Sequence, residues 1–399
     1  MKSESNKAQF ARKAAGKSGQ KGFTLLELLV AMVIFLIVTG SIYGLLQVGR
    51  IDRNRSSRRS DVLKNARVAV HLIGRDAFNA GLSYNSVGAL APENFVSATF
   101  GLPVDPDTRR DAITSIMIGN NLHPNDLNPD PAIQTDSVVF SYRDMEFHSD
   151  PAIPGSPGKL VQLADVGPGG SATTARVRAT APVGSPVGTR TGVEQAQVNH
   201  LYLVESGTTQ VAVMATAVNG VNTVDAATGD PLALNQPLGV LDETGSVLRQ
   251  CLPPDPGPPI VPDGNCTTYV ATLKHFNIVE YRVKQDGTLV RRIYGNNVGG
   301  LIPGDQIREQ PLAYGVEDMQ ITYVLKDGTV TSAPTAFSLG ADNAPGGGND
   351  VPDQLNLIRQ VTVTIRVQAT GSDSPTQRPE SITFSATFAA RNMEYIAGS

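Results

Sequence analysis

The sequence predicts an α+β protein: a long N-terminal hydrophobic α-helix packed on a C-terminal antiparallel β-rich globular head with long loops. Three observations carry this. Between Phe23 and Val48 the only charged residue is Glu27. From residue 135 onward, short runs alternate apolar and polar residues and are separated by turn signals. The 399 residues include 39 Gly and 27 Pro but no Trp, a balance that suits many loops around a sheet scaffold.

The first 21 residues carry Lys2, Lys7, Arg12, Lys13, Lys17 and Lys21 against the single acid Glu4, and read as a basic cytoplasmic leader. As a helix, Phe23 to Val48 measures about 39 Å, enough to cross a hydrocarbon layer of about 30 Å. A cleaved signal peptide has a shorter apolar core followed by a small-residue site. Thr39-Gly40-Ser41 matches such a site poorly, so the run is expected to stay on the mature protein. Gly40, Gly44 and Gly49 read as small-residue helix packing, or as points of local softness.

Five arginines, Arg50, Arg53, Arg55, Arg58 and Arg59, follow the apolar run, so both flanks are basic and the positive-inside rule does not separate them. The leader comes first and long domains translocate regardless of flanking charge, which favours the leader inside and the bulk of the chain outside. The arginine stretch reads as a solvated helix face, with phosphate binding, to lipid or DNA, as the alternative. Asp61 then opens a second amphipathic stretch as an N-cap; Val62, Ala66, Ala69, Ile73 and Ala77 recur at helical spacing, and Gly81 ends it. His71 in this stretch reads as a surface residue.

Glu27 needs a reason to be where it is. An ionisable group within a membrane-length segment is costly and marks a functional site. Its best partner is a cation in the same apolar layer. Cleavage just before Phe23 would generate such a cation, an α-amino group, which a neighbouring subunit can supply.

The strand candidates are residues 135–144, 200–206, 276–295, 316–330, 358–370 and 380–392. Asp-Gly-Thr occurs at 286–288 and at 327–329 between alternating runs and predicts two hairpin turns. Residues 165–192 and 344–353 are low in complexity and read as surface insertions.

Lys21-Gly22-Phe23-Thr24-Leu25-Leu26-Glu27 followed by an apolar run resembles the class III signal of type IV pilins and their relatives. The resemblance implies that prepilin peptidase cuts between Gly22 and Phe23 and methylates Phe23, and that Glu27 is the assembly glutamate. The segments "IGRDAFNAGLSY", "TDSVVFSYRD", "YRVKQDGTLVRR", "GVEDMQITYVL" and "FAARN" occur in an order similar to the PilW family of large minor pilins. It implies residues 1–22 as a removed leader, 23–80 as a transmembrane and assembly helix, and 81–399 as a periplasmic head with insertions. The expected partners are prepilin peptidase, the major pilin and other minor pilins, a tip adhesin and the inner membrane. The expected location is the inner membrane before assembly and the pilus at the cell surface afterwards. Two alternatives use the same N-terminus: a minor pseudopilin of type II secretion, and a signal-anchored periplasmic binding protein that never assembles.

Cys251 and Cys266 enclose a proline-rich loop of 14 residues. In an oxidising periplasm they are expected to form a disulfide, worth about 3 kcal/mol in the chain-entropy model; two free thiols are the alternative. A net charge of −4 with a pI near 5.8 gives no basic footprint for nucleic acid, and no such partner is expected. The five histidines (His71, His123, His148, His200, His275) are scattered, and no HExxH, GxSxG or P-loop pattern occurs. Asp126, Asn128 and Asp130 alternate as in a calcium loop but lack its glycine and terminal Glu. Neither an enzyme, a metal nor a cofactor is expected.

Overall fold

The computed structural model describes residues 22–82, 84, 86, 88–104, 111–128, 130, 132–145, 147, 159–164, 174–179, 196–206, 209–219, 223–235, 269–296, 306–340, 348–368, 381–390 and 393. It divides into two compact units, residues 1–57 and 58–399. One continuous helix, α1 (Leu25–Asn79), enters both. The sequence suggested a fresh helix start at Asp61. The helix instead runs through, because nothing in 50–60 stops it: the stretch holds neither Gly nor Pro, and Arg is a good helix former.

Beyond α1 the chain forms β1 (Ala89–Leu90), α2 (Phe95–Phe100), β2 (Ala112–Ile113), β3 (Ile116–His123), β4 (Thr135–Arg143), β5 (Lys159–Ala164), β6 (Thr174–Ala179), β7 (Leu201–Ser206), β8 (Thr209–Met214), β9 (Ala217–Asn219) and β10 (Thr223–Ala227). It continues through β11 (Tyr269–Val283), β12 (Leu289–Tyr294), β13 (Ile307–Ala313), β14 (Val316–Leu325), β15 (Val330–Thr331), β16 (Ile358–Gln368) and β17 (Ser381–Ala389). The fold is thus α+β. The 15-residue β11 is the hub of the larger sheet, pairing antiparallel with β4, β5, β7 and β12 along its length. A smaller antiparallel sheet has the order β15-β14-β16-β17. Among the described pairs only β1 with β8 is parallel.

Alternation explains the faces. In β16 the side chains of Val361, Val363, Ile365 and Val367 are buried, while Thr362, Thr364 and Arg366 between them face out. Within the strand-rich unit α1 supplies Ala66, Ala69, Val70, Ile73 and Ala77 to the same core, at spacings of three and four, and Ala80 follows just past its end. The small alanines let the helix lie close to the sheet. Gly74 makes the closest approach: a Cβ built there falls within 2.2–2.7 Å of the Phe388 ring from β17. Gly81, at φ 75°, then ends the helix, and its N–H donates to the Ser141 carbonyl of β4 at 3.1 Å.

The two Asp-Gly-Thr segments form the turns that the sequence indicated. Gly287 and Gly328 have φ of 77° and 88°, and the Asp286 and Asp327 carboxylates each accept the N–H two residues on at 2.9 Å. Residues 165–192 were read as an insertion, yet β6 lies inside them. "TARVRA" pairs with β5 and β10, and those neighbours supply the ladder that its weak local pattern does not announce.

Gly74→Val should cost about 1–3 kcal/mol of stability through overpacking against Phe388. Combining it with Phe388→Ala should give a loss smaller than the sum of the single losses, measured by denaturant unfolding. Additive losses would show that the glycine is not the seat of that ring.

Candidate functional site

The N-terminal unit is built around an unusual surface. Phe23 is 88% exposed, and large apolar residues from Leu25 to Val48 are exposed on every side of α1. A helix apolar all round, with none of it covered by the described residues, is matched to lipid or to other helices. Leu25–Asn54 is long and apolar enough to cross a membrane. Ser41 carries no unmet hydroxyl into that surface, because its Oγ donates to the Ile37 carbonyl at 2.8 Å.

The helix start is closed by a reciprocal cap that the sequence reading overlooked. The Thr24 carbonyl accepts the Leu28 N–H at 3.2 Å, which makes Thr24 the N-cap. The Glu27 N–H donates to Thr24 Oγ1 at 3.2 Å, and Glu27 Oε2 accepts the Thr24 N–H at 3.0 Å and its hydroxyl at 3.0 Å. This is a capping box, and Thr-x-x-Glu before an apolar run was its sequence signal. Both bonds to the carboxylate use Oε2; Oε1 accepts none among the described residues. The carboxylate is therefore held at the helix start, where the dipole favours it, with one oxygen open.

Gly22 sits just before this cap. A Cβ there would meet nothing within 4 Å among the described residues, and its φ is not left-handed. The fold itself gives no reason for a glycine at this position. Cys251 and Cys266, the leader and His148 lie outside the described residues.

The strand-rich unit holds a second polar centre, also missed in the sequence. Asp76, on the last turns of α1, is fully buried. Its Oδ2 accepts Arg291 Nε at 3.0 Å, Arg291 Nη2 at 2.9 Å and the Tyr281 hydroxyl at 2.6 Å. Its Oδ1 accepts the Tyr142 hydroxyl at 3.2 Å and Arg75 Nε at 3.1 Å. Burial, and then the Asp76 charge, push Tyr142 up to about 12 and Tyr281 higher still, so both phenols stay donors. Asp76, Tyr142, Tyr281 and Arg291 come from three of the short segments quoted above, and Phe388 comes from a fourth.

Two of the scattered histidines meet. His200 Nδ1 lies 3.1 Å from His275 Nε2, and His275 Nδ1 lies 3.0 Å from Asp144 Oδ2. Phe147 and Tyr202 pack against the His275 ring. Burial, then the neighbouring His275, pushes His200 down to about 4. His71 is exposed, and His123 is half-buried and stands apart. Asp126, Asn128 and Asp130 do not converge as a calcium loop: Asn128 and Asp130 accept the N–H two residues on, and Asp126 accepts Gln285 Nε2 at 3.1 Å. Among the described residues no group of three or more His, Cys, Asp or Glu could hold a metal ion.

Residues 17–43 match the family described as "Prokaryotic N-terminal methylation motif". No curated protein and no solved structure matches the chain. The match covers the leader end, Gly22, the Thr24–Glu27 cap and most of the exposed apolar helix, and it supports a pilin- or pseudopilin-like, membrane-anchored protein.

Asp76→Ala should destabilise the strand-rich unit by about 3–5 kcal/mol, because it leaves the Arg291 charge buried and unpaired. Adding Arg291→Met should recover part of that loss in denaturant unfolding; a double variant no more stable than Asp76→Ala alone would contradict the pairing.

The pH dependence has a defined sign. His200 titrates near 4 when folded against 6.5 when unfolded, so between these values the unfolded chain binds more protons. The stability it contributes is present above pH 6.5 and lost as pH falls towards 4. His200→Gln should therefore flatten the acid loss relative to wild type in thermal unfolding over that window; an equally steep loss would refute the assignment.

Proposed function

We propose that the chain is a non-enzymatic, PilW-like minor pilin of a type IV pilus, cut by prepilin peptidase between Gly22 and Phe23 and methylated on Phe23. It works with the major pilin, other minor pilins and a tip adhesin, priming or capping the filament tip. Before assembly the strand-rich head stands in the periplasm on an inner-membrane anchor; afterwards it is displayed at the cell surface.

The observation that carries this reading is the capped, uncovered apolar helix with its open Glu27 oxygen inside the matched motif. An anchor alone has no use for a carboxylate among lipid tails. In a filament the apolar faces of many copies cover one another. Glu27 Oε1 can then accept the methylated terminal amine of a neighbour without giving up the cap on Oε2, and the pair fixes the axial step between subunits. Gly22 fits the same scheme. The fold does not require it, and a peptidase that grips extended backbone gains close approach where no Cβ stands.

Glu27→Leu, in a strain without the wild-type copy, should leave cleavage intact and abolish assembly. An unpaired amine in an apolar core costs about 3–5 kcal/mol. Pilus counts and co-purification of partner pilins check this; normal piliation and recovery would refute the pairing and favour a signal-anchored protein that never assembles. Gly22→Leu should instead stop cleavage, read as leader retained on an immunoblot.

A further inference from the structure

We infer that Arg50 and Arg53 bind the phosphate of anionic phospholipid headgroups in the leaflet opposite Glu27. The inference deepens the reading of α1 as membrane-spanning and does not depend on how Glu27 pairs in a filament.

The geometry sets the level. Glu27 and Arg50 are 23 residues apart on one unbroken helix, about 35 Å along its axis. The hydrocarbon layer is about 30 Å thick and the whole bilayer about 40–45 Å. The apolar run ends at Val48, so Arg50, two residues or about 3 Å further on, lies in the far headgroup layer, and Arg53 lies one turn beyond it on the adjacent side of the helix. Both side chains are exposed, and neither makes an ion pair among the described residues.

The residue type points to the ligand. The leader flank uses five Lys and one Arg, whereas residues 50–60 use five Arg, no Lys and the single acid Asp52. Charge for orientation would belong on the leader side, and arginines on the far side work against it. What arginine adds over lysine is a planar fork that holds two phosphate oxygens at once. A phosphodiester at the depth fixed by the apolar run meets both conditions. The contact would hold the subunit at one depth in the membrane until it is drawn out.

The test uses the full chain reconstituted in phosphatidylcholine bilayers containing a minority of phosphatidylglycerol. Spin-labelled lipids report which headgroup is enriched at the protein. Wild type should prefer phosphatidylglycerol, and Arg50→Gln/Arg53→Gln should weaken that preference several-fold, at about fivefold per arginine. The leader is common to both proteins and cancels. Arg→Lys at both sites should keep only part of the preference. Inorganic phosphate should compete no better than chloride at equal ionic strength; selective displacement by phosphate would assign a free-anion site, and displacement by a DNA duplex a nucleic-acid contact, and either would overturn the inference. A preference unchanged in the double Gln variant would overturn it too, while leaving the spanning helix intact. Failure of wild type to enter bilayers at all would overturn the spanning reading itself.

Discussion

The strand-rich unit depends on one buried carboxylate. Asp76 has no exposure to water and accepts bonds from two arginines and two tyrosines. Arg291 is its buried counter-charge, with Arg75 reaching it from the exposed side, and without Asp76 the Arg291 charge would be stranded. The pair fixes the end of α1 against β11 and β12 at a point where the apolar contacts are mostly alanines, which bury little area each. Phe388 in the Gly74 notch fixes the same helix against the smaller sheet. Two specific contacts thus set the helix on both sheets, and the apolar core fills the space between.

The N-terminal unit shows the opposite economy. Its apolar residues do nothing to cover one another, and the one charge between Phe23 and Val48, Glu27, is held by a single threonine. Such a surface is incomplete in water. In the function proposed above, lipid completes it before assembly and like helices complete it afterwards, and the capping box lets the same carboxylate serve in both. The arginines that follow the run belong to the same proposal: the apolar run ends at Val48, and Arg50 and Arg53 stand just past it.

Much of this was legible in the sequence because it is local. The apolar run, the Thr24-x-x-Glu27 box, the alanine spacing from 66 to 77 and the two Asp-Gly-Thr turns each declare themselves within a few residues. So do residues 319–325 of β14 and 361–368 of β16, where buried and outward side chains alternate regularly. The rest depends on distant partners. Asp76 and Arg291 are separated by 215 positions, and His200 and His275 by 75. No local pattern announces either pair. β6 is a strand because β5 and β10 flank it, within a stretch whose small residues suggested a loop. The sequence offered Asp61 as an N-cap for the second amphipathic stretch, but a lone Asp within a run of good helix formers does not restart a helix.

The most direct test of the account is the mass and N-terminal sequence of the native protein taken from the membrane. The account predicts a chain that begins at Phe23, lacks residues 1–22 and carries one added methyl group on its terminal amine. A native protein that keeps its leader, or begins at any other residue, would contradict it.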